Sequence, residues 1–139
     1  MEKRPLPPSH LLRIMLVDDD AMLRKMVARQ LEAHAVRNDL AVDVREADSV
    51  SQVAKTLDGY HPHAVLTDFN LGKGGTGAQV VDTVRSHANG AHALIQGMSG
   101  GDIEQMQKLV EIHNRTHPEA PPMDFFPSLS VCLIWNRFS

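Results

Sequence analysis

Twice in this chain a short apolar run ends on carboxylates, and that feature restricts the fold more than any other. Ile14-Met-Leu-Val17 runs into Asp18, Asp19 and Asp20. Ala64-Val-Leu66 runs through Thr67 into Asp68, and the glycine-rich stretch Leu71-Gly-Lys-Gly-Gly-Thr-Gly77 follows. Runs this short and this apolar predict strands buried on both faces, as in a parallel sheet covered by helices. In open sheets of that kind, ligands sit beyond the carboxyl ends of the strands, where the strand order reverses. Two acidic strand ends therefore predict one site, with Asp68 as its reactive centre. Two like charges ~4 Å apart repel by about 4 kcal/mol at an effective dielectric near 20, so a proton or a cation must join them. Mg2+ fits, because it takes oxygen ligands and keeps waters that a phosphoryl oxygen can replace.

The rest of the chain supports such a sheet. Residues 1–10 carry Pro5, Pro7 and Pro8 and read as an extended tail. A strand is predicted over Leu12–Val17. Asp20 then caps a helix from Ala21 to about His34, with Leu23, Met26, Val27, Gln30 and Leu31 toward the sheet and Arg24, Lys25, Arg29 and Glu32 outside. Val42 and Val44 alternate with Asp43 and Arg45, which predicts an edge strand over Ala41–Ala47. Ser49 caps a short helix bearing Val50, Val53, Ala54 and Leu57. After the central strand 64–67, a helix is expected from Ala78 to about Ser86 and a strand over Ala93–Met98. A further helix is expected to carry Ile103, Met106, Val110 and His113 on one face, and a short strand spans Met123–Phe126. Strand–helix alternation of this kind predicts an α/β fold with a five-stranded parallel sheet and right-handed crossovers.

Composition narrows the function classes. The chain has 139 residues and a formal net charge of −3, so it reads as one domain with no bulk attraction to nucleic acid or an anionic membrane. Its single cysteine, Cys132, excludes an internal disulfide and reads as a small apolar residue in a reducing, cytoplasmic setting. No run is long enough to span a bilayer. His61, His63, His113 and His117 lack the further ligands a zinc site needs and read as solvated surface residues. Met22, Met26 and Met106 read as core filling.

Three stretches resemble a known family. Arg13-Ile-Met-Leu-Val-Asp-Asp-Asp20 looks like the opening of receiver domains of two-component response regulators. Thr67-Asp-Phe-Asn-Leu71 looks like their phosphorylation strand, and Gly97-Met-Ser-Gly100 like their fourth-strand hydroxyl motif. The resemblance covers residues 11–127 and implies a flavodoxin-like, doubly wound fold. It implies that Asp68 takes a phosphoryl group from a sensor histidine kinase or a histidine phosphotransfer protein. Asp18, Asp19, Asp68 and the backbone carbonyl of Asn70 would hold Mg2+. Ser99 would contact the phosphoryl group and move with it, and Phe125 falls at the family's aromatic switch. Beyond slow self-phosphorylation and autodephosphorylation, no enzyme activity is implied.

The chain also departs from that family. Receivers place a lysine just after the fifth strand, where this sequence has Ser128-Leu129, and residues 128–139 do not read as the family's last helix. A divergent tail, a truncation or a frame change after Pro127 would each give this pattern. An uncovered apolar face there would favour homodimers through the tail. Three other readings compete. A pseudo-receiver would bind partners without efficient phosphorylation. A haloacid-dehalogenase-like phosphohydrolase would use Asp18 as nucleophile and Asp20 as acid/base. The glycine loop is similar to that of partition-type ATPases, but Ala78 and Gln79 stand where a lysine and a hydroxyl residue are needed.

Overall fold

The structure, a computed structural model, describes residues 11–98 and 103–126. In chain order it contains β1 (Leu11–Val17), α1 (Ala21–Arg37), β2 (Ala41–Ala47), α2 (Val50–Leu57), β3 (Ala64–Asp68), α3 (Gly77–Ser86), β4 (Leu94–Met98), α4 (Ile103–Thr116) and β5 (Asp124–Phe126). The five strands form one sheet in the order β2-β1-β3-β4-β5. Every neighbouring pair is parallel. From β1 the chain steps out to β2 and then back past β1 to β3, so the order reverses between β1 and β3. β2 is an edge, as its alternating Asp43 and Arg45 predict.

Successive strand residues feed opposite faces. Met15, Val17, Val65 and Ile95 pack with Val53 and Leu57 of α2, Val80, Val81 and Val84 of α3, and Met106 and Leu109 of α4. Ile14, Leu16, Ala64, Leu66 and Met98 pack on the other side with Val27, Ala28, Leu31 and Ala35 of α1. Helix starts follow the local chemistry. Asp20 accepts hydrogen bonds from the backbone of Met22 and Leu23, and Ser49 from that of Gln52. Thr76 and Gln79 make a reciprocal capping box at α3, satisfying N–H groups that the helix itself leaves unpaired.

Three expectations about burial need correction. α1 turns Val27, Ala28, Leu31 and Ala35 inward, whereas Met26 is 45% exposed, Gln30 is exposed and Met22 is 83% exposed. The small side chains of Ala28 and Ala35 define the buried stripe, and the methionines lie off it. On α4 the stripe is Met106, Leu109 and His113, while Ile103, the first helical residue, is 44% exposed. His113 itself is buried rather than solvated. Its Nε2 accepts a hydrogen bond from Arg85 Nε at 2.9 Å, so its proton sits on Nδ1, 2.8 Å from Asn114 Oδ1. Arg85 also donates to the carbonyls of Gly90, Ala91, Ala93 and Pro121. That network ties α3, α4 and two loops together at the amino end of β4.

The glycine loop is a packing element. A Cβ at Gly74 would lie 2.8 Å from the Asp48 carbonyl oxygen, and one at Gly75 would lie 2.5 Å from Val50 Cγ2. Gly75 also has φ +118°, a backbone that side chains disfavour. These glycines let the loop after β3 rest on the β2–α2 turn.

Candidate functional site

The carboxylates converge as the strand order demands. Val17 and Thr67 are register partners in β1 and β3, so the next residues, Asp18 and Asp68, stand side by side at the carboxyl edge of the sheet. Ligand oxygens of Asp18, Asp19 and Asp68 all lie within 4.8 Å of one another. Asp18 is buried, Asp68 half-buried and Asp19 exposed, so the cluster opens toward solvent on the Asp19 side.

Local hydrogen bonds fix the geometry. Asp18 Oδ1 accepts the Asp20 backbone N–H at 2.9 Å, while the Asp18 N–H donates to the Ala47 carbonyl of β2 at 3.1 Å. Asp68 Oδ1 accepts the Phe69 N–H at 2.7 Å. Thr67 Oγ1 donates to the Asp68 carbonyl at 2.9 Å. The Asn70 N–H also favours ionised Asp68, and the Asn70 side chain accepts from the Gly72 N–H at 2.9 Å. A short bridge between Asn70 and Thr76 closes the loop. Gly72, at φ +61°, would place a Cβ 3.2 Å from Asp19 Oδ2, so the loop after β3 returns to touch the acidic group at the end of β1.

Electrostatics at this site are unfavourable without a cation. Burial, with added repulsion from Asp68 and Asp19, pushes Asp18 up to about 6. Burial also raises Asp68, against the backbone N–H groups that favour its charge, and Asp19 raises it further. A clustered, partly desolvated set of hard oxygen donors is what a small divalent ion requires. The residues present therefore fit Mg2+.

The remaining sequence-derived positions fall as follows. Ser99 and the segment 128–139 lie outside the described residues. Phe125 is half-buried in the middle of β5, paired in register with Gly97 and packed toward α4. Asp20, the acid/base of the phosphohydrolase alternative, has its carboxylate engaged as the α1 cap. Helical spacing places Arg24 on the solvent side of α1. Its side chain instead turns back and is 15% exposed. Nη1 donates to the Asp18 carbonyl at 2.6 Å, and Nε meets Glu46 Oε1 at 3.1 Å. The signal was weak: a long side chain one turn after the cap, opposite an acidic residue near the end of β2.

No protein-family model and no curated protein matches the chain. Solved structures do. A receiver domain of a sensor histidine kinase from Pseudomonas aeruginosa, described with a magnesium ion in its active-site cleft, is 15% identical with a TM-score of 0.64, the match covering 91% of this chain and 93% of that one. The chemotaxis response regulator CheY4 of Vibrio cholerae is 14% identical with a TM-score of 0.68, over 93% and 99% of the two chains. The receiver domain of the putative response regulator NarL from Mycobacterium tuberculosis is 20% identical with a TM-score of 0.66, over 93% and 94%. The fold of this chain is the flavodoxin-like fold of receiver domains.

Proposed function

We propose that the chain is a phosphoacceptor module that takes a phosphoryl group onto Asp68 from a sensor histidine kinase or a histidine phosphotransfer protein. The observation that carries this is the meeting of Asp18, Asp19 and Asp68 at the reversal of a receiver-type sheet. An oxygen of Asp68 attacks the phosphorus of a phosphohistidine, the P–N bond breaks, and the imidazole leaves with the electron pair and gains a proton. The product is an aspartyl phosphate. Asp18, Asp19, Asp68 and the Asn70 carbonyl would hold Mg2+, which when bound neutralises the carboxylates and the developing charge on the transferring oxygens. The chain's own contribution is positioning: backbone N–H groups hold Asp68 and Asp18, and the loop after β3 packs against Asp19. Ser99 would receive a phosphoryl oxygen, and Phe125 would respond to its movement. Turnover is limited to slow self-phosphorylation and hydrolysis, in the cytoplasm where such kinases act.

A second reading has its own support. Where the family resemblance leads one to expect a lysine just after β5, the sequence has Ser128-Leu129, so the fixed cation is missing from that position. A pseudo-receiver would keep the fold and the metal but not the chemistry. Incubation with acetyl phosphate or phosphoramidate and MgCl2, read by intact mass, separates the two. One phosphoryl adduct, absent in Asp68→Asn and without metal, supports the phosphoacceptor. Mg2+ binding with no adduct supports the pseudo-receiver.

A further inference from the structure

We infer that Arg24 is a positioning residue for the metal ligands, clamping the β1–α1 turn to the end of β2. The inference rests on the metal site proposed above and concerns a residue that plays no part in the motifs read from the sequence.

Asp18 and Asp19 occupy a turn between β1 and the Asp20 cap, and a turn of this kind must be held from outside if its carboxylates are to keep a fixed spacing. On one side the Asp18 N–H is bound to the Ala47 carbonyl. On the other, the Asp18 carbonyl accepts Arg24 Nη1 at 2.6 Å. The guanidinium is held in turn by Glu46 at 3.1 Å, and the Arg24 backbone N–H closes the first α1 turn on the Asp20 carbonyl at 3.0 Å. The Arg24 side chain thus links α1 to the β1–α1 turn at Asp18 and to Glu46 of β2. The planar fork of arginine can do this because it offers donors in fixed directions to two acceptors at once, which an ammonium on a flexible stem cannot do with the same geometry.

Two consequences of the charge oppose each other. A cation beside an Mg2+ site repels the ion and lowers affinity, whereas a clamp on its ligands raises affinity. At 15% exposure the guanidinium is not a freely screened surface charge. It is also directed at the Asp18 carbonyl and paired with the Glu46 carboxylate, which offsets its repulsion of a nearby cation. Geometry therefore governs, and groups that orient metal ligands from behind are worth roughly 10- to 100-fold in affinity.

The test is calorimetric titration of MgCl2 into the wild type, Arg24→Met and Arg24→Lys, with backbone amide exchange followed at Asp20 in the absence of metal. The clamp predicts at least about tenfold weaker Mg2+ binding in R24M, partial recovery in R24K, and faster exchange of the Asp20 amide that reports the turn. Equal or tighter Mg2+ binding by a folded R24M overturns it, since that is the behaviour of a merely repelling charge. Should R24M fail to fold by circular dichroism, R24K decides, and wild-type affinity in R24K overturns the clamp. A wild type that binds no Mg2+ refutes the metal site itself. Amide exchange then judges the clamp alone, and an unchanged rate at Asp20 in the variant refutes it.

Discussion

Arg85→Met should destabilise the fold severely although it touches nothing at the acidic site. Arg85 is 9% exposed, and its guanidinium donates to the carbonyls of Ala93 at 2.7 Å, Gly90 at 3.1 Å, Ala91 at 3.3 Å and Pro121 at 3.4 Å, and to His113 Nε2 at 2.9 Å. Methionine fills much of the same space, so the loss is chiefly of donors. The contacts to Gly90, Ala93 and His113 are buried, and a buried acceptor left without its donor costs about 1–3 kcal/mol. Three of them give roughly 3–9 kcal/mol. Against this, the variant no longer desolvates a guanidinium, whose burial already lowers its proton affinity, and removing that penalty returns several kcal/mol. The net expectation is a loss of about 3 kcal/mol, a large share of the 5–15 kcal/mol typical of a domain, or about 10 °C in Tm for a chain of this size. Urea denaturation followed by circular dichroism measures it. Arg85→Lys should fall between the two, since one ammonium cannot serve acceptors spread over α4 and two loops. A loss under about 1 kcal/mol in R85M would show that water replaces the guanidinium at little cost and would refute the reasoning.

Further predictions follow from single groups. Burial, followed by the Arg85 and His117 charges, holds His113 below its ordinary 6.5 despite Asn114. The unfolded chain therefore takes up the proton first, and stability should fall as pH drops below about 6.5. His113→Gln should flatten that limb in pH-dependent urea melts. Asp18 is displaced the other way, from 3.8 to about 6, so its stabilising influence is complete below about 3.8 and lost as pH rises through 6. At ~1.4 kcal/mol per pKa unit the ionised group costs about 3 kcal/mol at pH 7.5. Asp18→Asn, which keeps an oxygen for the Asp20 N–H, should be about that much more stable there in EDTA and equal to the wild type near pH 3. Gln96 is wholly buried, and neither amide atom has a hydrogen-bond partner among the described residues. Gln96→Met should raise stability by about 1–2 kcal/mol, and a lower Tm would reveal a partner for the amide. Gly75→Ala should cost about 2 kcal/mol or more through its φ of +118° and the contact with Val50, measured as a shift of the denaturation midpoint at constant slope.

What the sequence made legible was whatever depends on neighbours along the chain. Strand–helix alternation, the Asp20 and Ser49 caps and the polar alternation of β2 are local signals, and the structure follows them closely. The meeting of Asp18 with Asp68 was legible too, because both end buried parallel strands and such ends share one edge of the sheet. Side chains whose partners lie far along the chain were not legible. Arg24 reads as a solvent-facing residue until β2 brings Glu46 beside it. Nothing in its sequence neighbourhood marks Arg85 as a buried residue, and His113 reads as a surface histidine, until α4 packs over α3 and the two satisfy each other. Met22 and Met26 failed for the opposite reason. Helical spacing admits them to the apolar stripe, but the sheet meets α1 along Ala28 and Ala35, and hydrophobicity alone does not choose between adjacent stripes.

The two ends of the sheet therefore handle charge in opposite ways, and this makes their contributions separable. At the amino end of β4 a buried cation is spread over neutral carbonyls and a neutral imidazole, all of them geometrically committed. At the carboxyl end, three carboxylates lie within 4.8 Å of one another, supported by backbone N–H groups. Asp68 is the register partner of Met98, and Ala64 that of Leu94, so about four residues of strand, roughly 13 Å at 3.3 Å per residue, separate the two levels. Effects at sites more than 7–10 Å apart with no shared partner add to within about 0.5 kcal/mol. An Asp18→Asn/Arg85→Lys double variant should thus show the sum of its single effects. It should also keep the loss of Mg2+ response that belongs to Asp18→Asn alone. A coupling well above that margin would mean that the core between β3 and β4 transmits strain from one end to the other, and the acidic site would then have to be understood together with the Arg85 network.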